Sequence, residues 1–93
     1  MTEKTVEKAL VKRIKGLGGW AVKCAIPGTS GMPDRLILFP GGRVAFVECK
    51  RPGEKVSKIQ EYRIQQLRTL GFTVWVVDRL EEIERFIEEV MPK

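Results

Sequence analysis

One stretch limits what this chain can fold into more than any other. It runs Leu36-Ile37-Leu38-Phe39, then Pro40-Gly41-Gly42, then Arg43 and Val44-Ala45-Phe46-Val47. Two apolar runs rich in strand-formers flank a cluster of turn residues, which reads as a β-hairpin. With Pro40, Gly41 and Gly42 as the loop, Phe39 faces Arg43 and, stepping outward, Asp34 faces Glu48. A slip of one residue would move Asp34 to the opposite face. Side chains alternate along a strand. Val44, Phe46, Glu48 and Lys50 therefore share one face, and Asp34, Leu36 and Leu38 lie on the matching face of the partner. Directly opposed residues sit roughly 4.5–5.5 Å apart at Cβ. Two carboxylates at that distance repel unless a cation lies between them. Hard oxygen ligands suit Mg²⁺ or Mn²⁺, which keep several waters and also bind phosphate oxygens. Charges at strand ends are also commonly just solvated, and the hairpin alone does not separate these readings.

Two helices add polar residues where apolar ones belong. From Glu3 to Leu17, Val6, Leu10, Val11, Ile14 and Leu17 recur at helical spacing. Glu7 projects between Ile14 and Val11, inside that apolar arc. Burying it without a partner is costly; near a frayed helix start it would instead reach solvent. From Ser57 to Leu70, Ile59, Ile64, Leu67 and Leu70 mark one side, and Gln60 falls between Leu67 and Ile64. Ser57-Lys58-Ile59-Gln60 also matches a capping box, in which Gln60 bonds back to the Ser57 backbone. Both uses of Gln60 stay open. Arg63 lies near the same arc, where it would snorkel along its stem or reach a phosphate.

The order Glu7, Pro33-Asp34, Glu48-Cys49-Lys50 and Gln60 resembles the PD-(D/E)XK nuclease superfamily. More closely, the chain resembles a stand-alone VRR-NUC domain, the virus-type replication-repair nuclease module. Gly28-Thr29-Ser30-Gly31-Met32-Pro33-Asp34-Arg35 is similar to its metal loop. Val47-Glu48-Cys49-Lys50 is similar to its E-x-K strand, with Cys49 where the middle residue is often aliphatic. The resemblance covers nearly the whole chain and implies one nuclease domain over residues 1–93. It implies catalytic roles for Glu7, Asp34, Glu48, Lys50 and Gln60. Asp34 and Glu48, the backbone carbonyl of Cys49 and, through water, Glu7 would hold Mg²⁺ or Mn²⁺. Candidate DNA contacts are Lys23, Ser30, Arg35, Arg51, Lys58 and Arg63. Of these, Lys23 is as easily a solvated strand residue and Ser30 an ordinary turn residue. The implied activity is endonucleolytic hydrolysis of DNA, with branched substrates such as Holliday junctions or flaps and a two-fold homodimer.

Charge agrees with that expectation. Residues 1–70 hold 14 Lys/Arg and 6 Asp/Glu, a balance of +8; residues 71–93 hold 3 and 6, a balance of −3. The basic part contains every candidate site residue and would attract a polyanion. The rival expectation is a non-catalytic DNA-binding module using the same surface. Histidine is absent, which excludes His-dependent nuclease chemistry and His-ligated zinc. Cys24 and Cys49 fall inside expected strands and read as reduced, packed thiols. No apolar run is long enough to span a membrane. Thr2-Glu3-Lys4-Thr5 reads as polar helix rather than signal peptide, so the expected location is the cytoplasm of a bacterial or phage-infected cell.

The remaining elements follow from periodicity. Helix 1 is expected over about Thr2 to Gly16. A strand follows from Trp20 to Ile26, with Trp20 and Trp75 both placed in the core. Pro27 to Met32 is a Gly-rich loop able to flex over substrate. Strand Thr73 to Val77 suits a buried parallel position. A last helix starts at Asp78 with Glu81 completing a second capping box, and carries Leu80, Ile83, Phe86, Ile87 and Val90 as one stripe. Nothing polar interrupts the stripe, so the helix is structural or, less simply, part of a dimer surface. The fold expected is α/β, a mixed four-stranded sheet in the order α-β-β-β-α-β with a C-terminal helix, like the restriction endonucleases.

Overall fold

The structure is a computed structural model that describes residues 1–91. Its elements run α1 (Glu3–Gly16), β1 (Trp20–Lys23), β2 (Arg35–Leu38), β3 (Val44–Cys49), α2 (Lys58–Thr69), β4 (Val74–Val77) and α3 (Leu80–Val90). The four strands form one sheet in the order β1-β2-β3-β4. β1, β2 and β3 are antiparallel neighbours, and β4 adds parallel to β3. This is the mixed α/β sheet expected.

The hairpin has the register its turn chemistry dictates. Leu38 pairs with Val44 and Arg35 with Val47. The Phe39 N–H donates to the Arg43 carbonyl at 2.8 Å and closes the loop. Outward from there, Asp34 falls opposite Glu48 at the end of the ladder.

The two sheet faces are covered unequally. Ile37, Ala45, Val47, Cys49 and Val77 face a core shared with Val6, Leu10 and Ile14 of α1 and Ile83, Phe86 and Ile87 of α3. Arg13 clamps these two helices by donating to both oxygens of Glu84 at 2.9 and 3.1 Å. Arg43 reaches from the hairpin turn to the Val90 carbonyl at 2.9 Å, supplying the cation that the last turn of α3 lacks. On the other face, Ile64 and Leu67 of α2 pack with Val74, backed by Met32, Phe46 and Val76.

Close approach explains one glycine in particular. A Cβ on Gly19 would lie 2.7 Å from the Leu38 carbonyl oxygen and 2.9 Å from an Ile14 methyl. The chain can leave α1 and enter β1 this tightly only without a side chain there.

Several expectations are corrected. β1 stops at Lys23, short of Ile26. In the observed register Ala25 and Ile26 would need partners at Pro33 and Met32, and Pro33 has no N–H to give. Trp20 is exposed, because its neighbour Ala21 is the residue that faces α1. Trp75, by contrast, packs on the core as expected, partly buried against Phe86 with ring centroids 5.8 Å apart. Ile59 and Leu70 lie exposed at the ends of α2, leaving Ile64 and Leu67 to anchor it. The second capping box is absent: Arg79 is the N-cap of α3 and makes no side-chain cap bond. The Asp78 carboxylate is instead taken by the Gly53 N–H at 2.9 Å and by Arg79. Leu80, at the start of the stripe, is exposed for the same reason: it sits in the first turn, beyond the core.

Candidate active site

The site forms where the β2–β3 ladder ends. The Asp34 N–H donates to Glu48 Oε1 at 3.1 Å, and the Cys49 N–H donates to Asp34 Oδ2 at 2.8 Å. Each carboxylate thus caps the backbone of the opposite strand. Pro33 leaves the other half of the ladder open here. Hydrogen-bonded pairs alternate along an antiparallel ladder, and from Phe39–Arg43 outward the next after Arg35–Val47 would be Pro33 with Cys49. Pro33 offers no N–H, so β2 provides no donor for the Cys49 carbonyl, which the resemblance names as a metal ligand.

Glu48 is the one buried charged side chain among the described residues, at 1% exposure. Burying a carboxylate is costly unless it is paired and hydrogen-bonded. Besides the Asp34 N–H, Gln60 Nε2 donates to its Oε2 at 2.8 Å, and Lys50 Nζ lies 3.4 Å from the same oxygen. Burial first, and then the Asp34 carboxylate, raise the Glu48 pKa to about 7, against the opposing pull of Lys50. Such a group gains from a cation that replaces its proton.

Gln60 performs both jobs its position in the sequence left open. Its Oε1 accepts from the Ser57 N–H at 2.9 Å and completes the capping box of α2, while its amide donates to Glu48. The helix start and the buried carboxylate are held by one side chain.

The helical carboxylate that reaches the strands is Glu3, which periodicity did not single out. Glu3, Asp34 and Glu48 each bring an oxygen within 4.8 Å of the others. Glu7, one turn later on α1, is turned to Arg35, whose Nε donates to Glu7 Oε2 at 2.9 Å and whose Nη1 donates to the Ala21 carbonyl at 3.1 Å. The reason lies in the pleat: Arg35 is on the α1 side of the sheet, opposite to Asp34, and meets Glu7 first. Glu7 still lines the cleft, of about 420 Å³, that also contains Glu3, Lys23 and Asp34. Glu3 was hidden because an acidic residue in a helix's first turn is ordinary.

The expected DNA contacts divide. Arg35 is fixed by Glu7, and Arg51 lies 3.8 Å from Glu54 on the surface. Arg63 donates to the Ser30 carbonyl at 3.0 Å and to Gln66 at 2.9 Å. That bond ties the Gly-rich loop to α2. Gly31 within it leaves no room for a Cβ, which would fall 2.6 Å from the Ile59 carbonyl. Lys23 lines the cleft, and Lys23 and Lys58 are exposed without an ion pair among the described residues. Both cysteines are free thiols, and burial pushes each above its ordinary pKa.

An oxygen-rich donor set of three carboxylates at this separation fits a hard divalent cation. Comparison with known proteins points the same way. The VRR-NUC domain family matches residues 3–79. A protein of Acyrthosiphon pisum secondary endosymbiont phage 1, named "Putative nuclease p44", is 45% identical over 76 residues, covering 82% of each chain. A solved structure described as a VRR_NUC domain superposes with a TM-score of 0.87 at 32% identity, covering 95% of this chain and 97% of that one. The chain belongs to the VRR-NUC domain family.

Proposed function

We propose that this nuclease domain, one unit over residues 1–93, is a metal-dependent DNA endonuclease acting on branched DNA, such as Holliday-junction or flap-like intermediates of repair and replication. One observation carries the metal-dependent reading: the carboxylates of Glu3, Asp34 and Glu48 converge within 4.8 Å beside the Lys50 ammonium.

Asp34 and Glu48, with Glu3 from the helix and the Cys49 carbonyl, would hold Mg²⁺ or Mn²⁺. Once bound, the cation supplies polarisation of a phosphoryl oxygen and a lowered pKa for a water. Lys50, two residues from Glu48 on the same face, orients the attacking water and offsets negative charge growing on the phosphate. Gln60 fixes the Glu48 carboxylate. Glu7, held by Arg35, would reach the cation through water. Lys23 and Lys58 remain available to phosphates.

A non-catalytic binder would gain from losing acidic groups near phosphate, yet the whole set is present. Family likeness supports the reading of branched substrates, and symmetric cuts across a junction would need two active sites, hence a homodimer. The phage relative fits a setting inside a bacterial or phage-infected cell. No described helix is long and apolar enough to cross a membrane.

The test compares labelled four-way junction, 5′-flap and linear duplex with Mg²⁺, Mn²⁺ or EDTA. Symmetric, metal-dependent cuts across the junction support the proposal. Equal cutting of linear duplex removes the branched-DNA part, and binding without cutting in every condition removes the enzyme.

A further inference from the structure

Away from the carboxylates, positive charge concentrates along one flank of α1. Lys4, Lys8, Lys12 and Lys15 are exposed and follow at three- or four-residue spacing. At that spacing side chains share a helix face and climb about 6 Å per four residues. Lys23, at the end of the edge strand β1, stands across from them. Together they line a groove of about 420 Å³. The Glu7–Arg35 pair lies in its wall and cancels its own charge.

None of the five lysines is in an ion pair among the described residues. Five uncompensated ammonium groups around one groove repel each other and draw in a polyanion. The groove is continuous with the carboxylate cleft, because Lys4, Glu7 and Lys23 line both.

We propose that this groove carries the sugar–phosphate backbone of a duplex arm leading away from the scissile phosphate. α1 then does two things with one helix: its first turn presents Glu3 to the cleft, and its lysine flank holds the flanking arm. The inference rests on the nuclease reading and extends it. The chemistry of the lining favours backbone over bases. Val11 is its one apolar member and no aromatic side chain lines it, so single-stranded bases have no platform to stack on. Lysines act as point charges suited to phosphates, without the planar fork of arginine. Binding along this flank is therefore independent of sequence.

The experiment measures binding of a labelled duplex in EDTA, where cleavage does not intervene, over a series of salt concentrations. The variant is Lys8→Gln/Lys12→Gln/Lys15→Gln, all away from the carboxylates. The control is Lys55→Gln/Arg79→Gln/Arg85→Gln, which removes equal charge from exposed positions outside the groove. Thermal melts establish that both are folded. Each phosphate contact contributes about 0.9 to the slope of log K against log salt. The lysine variant is expected to lower that slope by about 2–3, and the control to leave it unchanged. An equal fall in both would mean general charge alone, and would overturn the groove. An unchanged slope in the lysine variant, with junction cleavage intact in wild type, would overturn the groove and leave the nuclease standing. A larger fall on single strands than on duplex would overturn the duplex assignment. Wild type that neither binds nor cleaves would overturn both readings.

Discussion

Gln60 donates to the buried carboxylate of Glu48 at 2.8 Å while its other amide atom closes the capping box of α2. The first turn of a helix and the most buried charge of the site are thereby one unit. α2 is seated by Ile64 and Leu67, and its N-terminus is placed by a residue that also fixes the Glu48 carboxylate.

This coupling separates two substitutions. Ser57→Ala removes only the cap and is expected to cost about 1 kcal/mol, or roughly 4–8 °C in Tm for a domain of this size. Gln60→Ala removes the return bond and also the donor to Glu48, and is expected to cost about 2 kcal/mol. It should also reduce cleavage under conditions where both proteins are folded, whereas Ser57→Ala should not. Equal activity in the two variants would limit Gln60 to capping.

Glu48 makes the metal-free protein sensitive to pH. Its pKa is raised to about 7 in the fold, above the ordinary carboxylate range. The folded state therefore holds this proton more tightly than the unfolded chain. The stabilisation is complete below about pH 4, near the unfolded pKa, and is lost as pH rises through about 7. Melts in EDTA are expected to show stability falling over that window by on the order of 2–3 kcal/mol. Glu48→Gln is expected to flatten the profile, and an unchanged profile in that variant would assign the dependence elsewhere.

Glu3 and Glu7 lie one turn apart on α1 and are expected to respond differently. Glu3→Gln removes an exposed carboxylate from the cluster. It should weaken Mn²⁺ binding by calorimetry with little change in Tm. Glu7→Gln leaves Arg35 half-buried without its anion and should lower stability by roughly 1–2 kcal/mol, with a smaller effect on metal affinity. The reverse pattern would return the metal role to Glu7.

Asp34→Asn retains an acceptor for the Cys49 N–H, so the turn into β2 should survive. Metal affinity is expected to fall at least tenfold and cleavage with it. An unchanged calorimetric titration would show that Asp34 is not a ligand.

Much of this was legible because a tight turn sets register. Pro40-Gly41-Gly42 leaves one way to pair the flanking runs, and that pairing carries Asp34 to Glu48. Gln60 announced its capping bond through the Ser57-Lys58-Ile59-Gln60 pattern, and its place inside an apolar arc pointed its amide toward the sheet. Trp20 was misplaced because alternation in an edge strand gives two faces without saying which one a helix covers. Glu7 stood out on its own helix, but its partner Arg35 lies 28 positions away, and only the packed sheet brings them together. The groove beside α1 was illegible for a similar reason. Helical spacing places four lysines on one flank, but Lys23 joins them only when β1 folds back alongside.

The most direct test of the central claim is cleavage of labelled branched DNA by wild type and Lys50→Ala, each with Mg²⁺, Mn²⁺ or EDTA, alongside DNA binding measured in EDTA. The account predicts metal-dependent cleavage by wild type, its loss in Lys50→Ala, and nearly equal binding by the two proteins. Cleavage that persists in EDTA, or at the wild-type rate in Lys50→Ala, would contradict it.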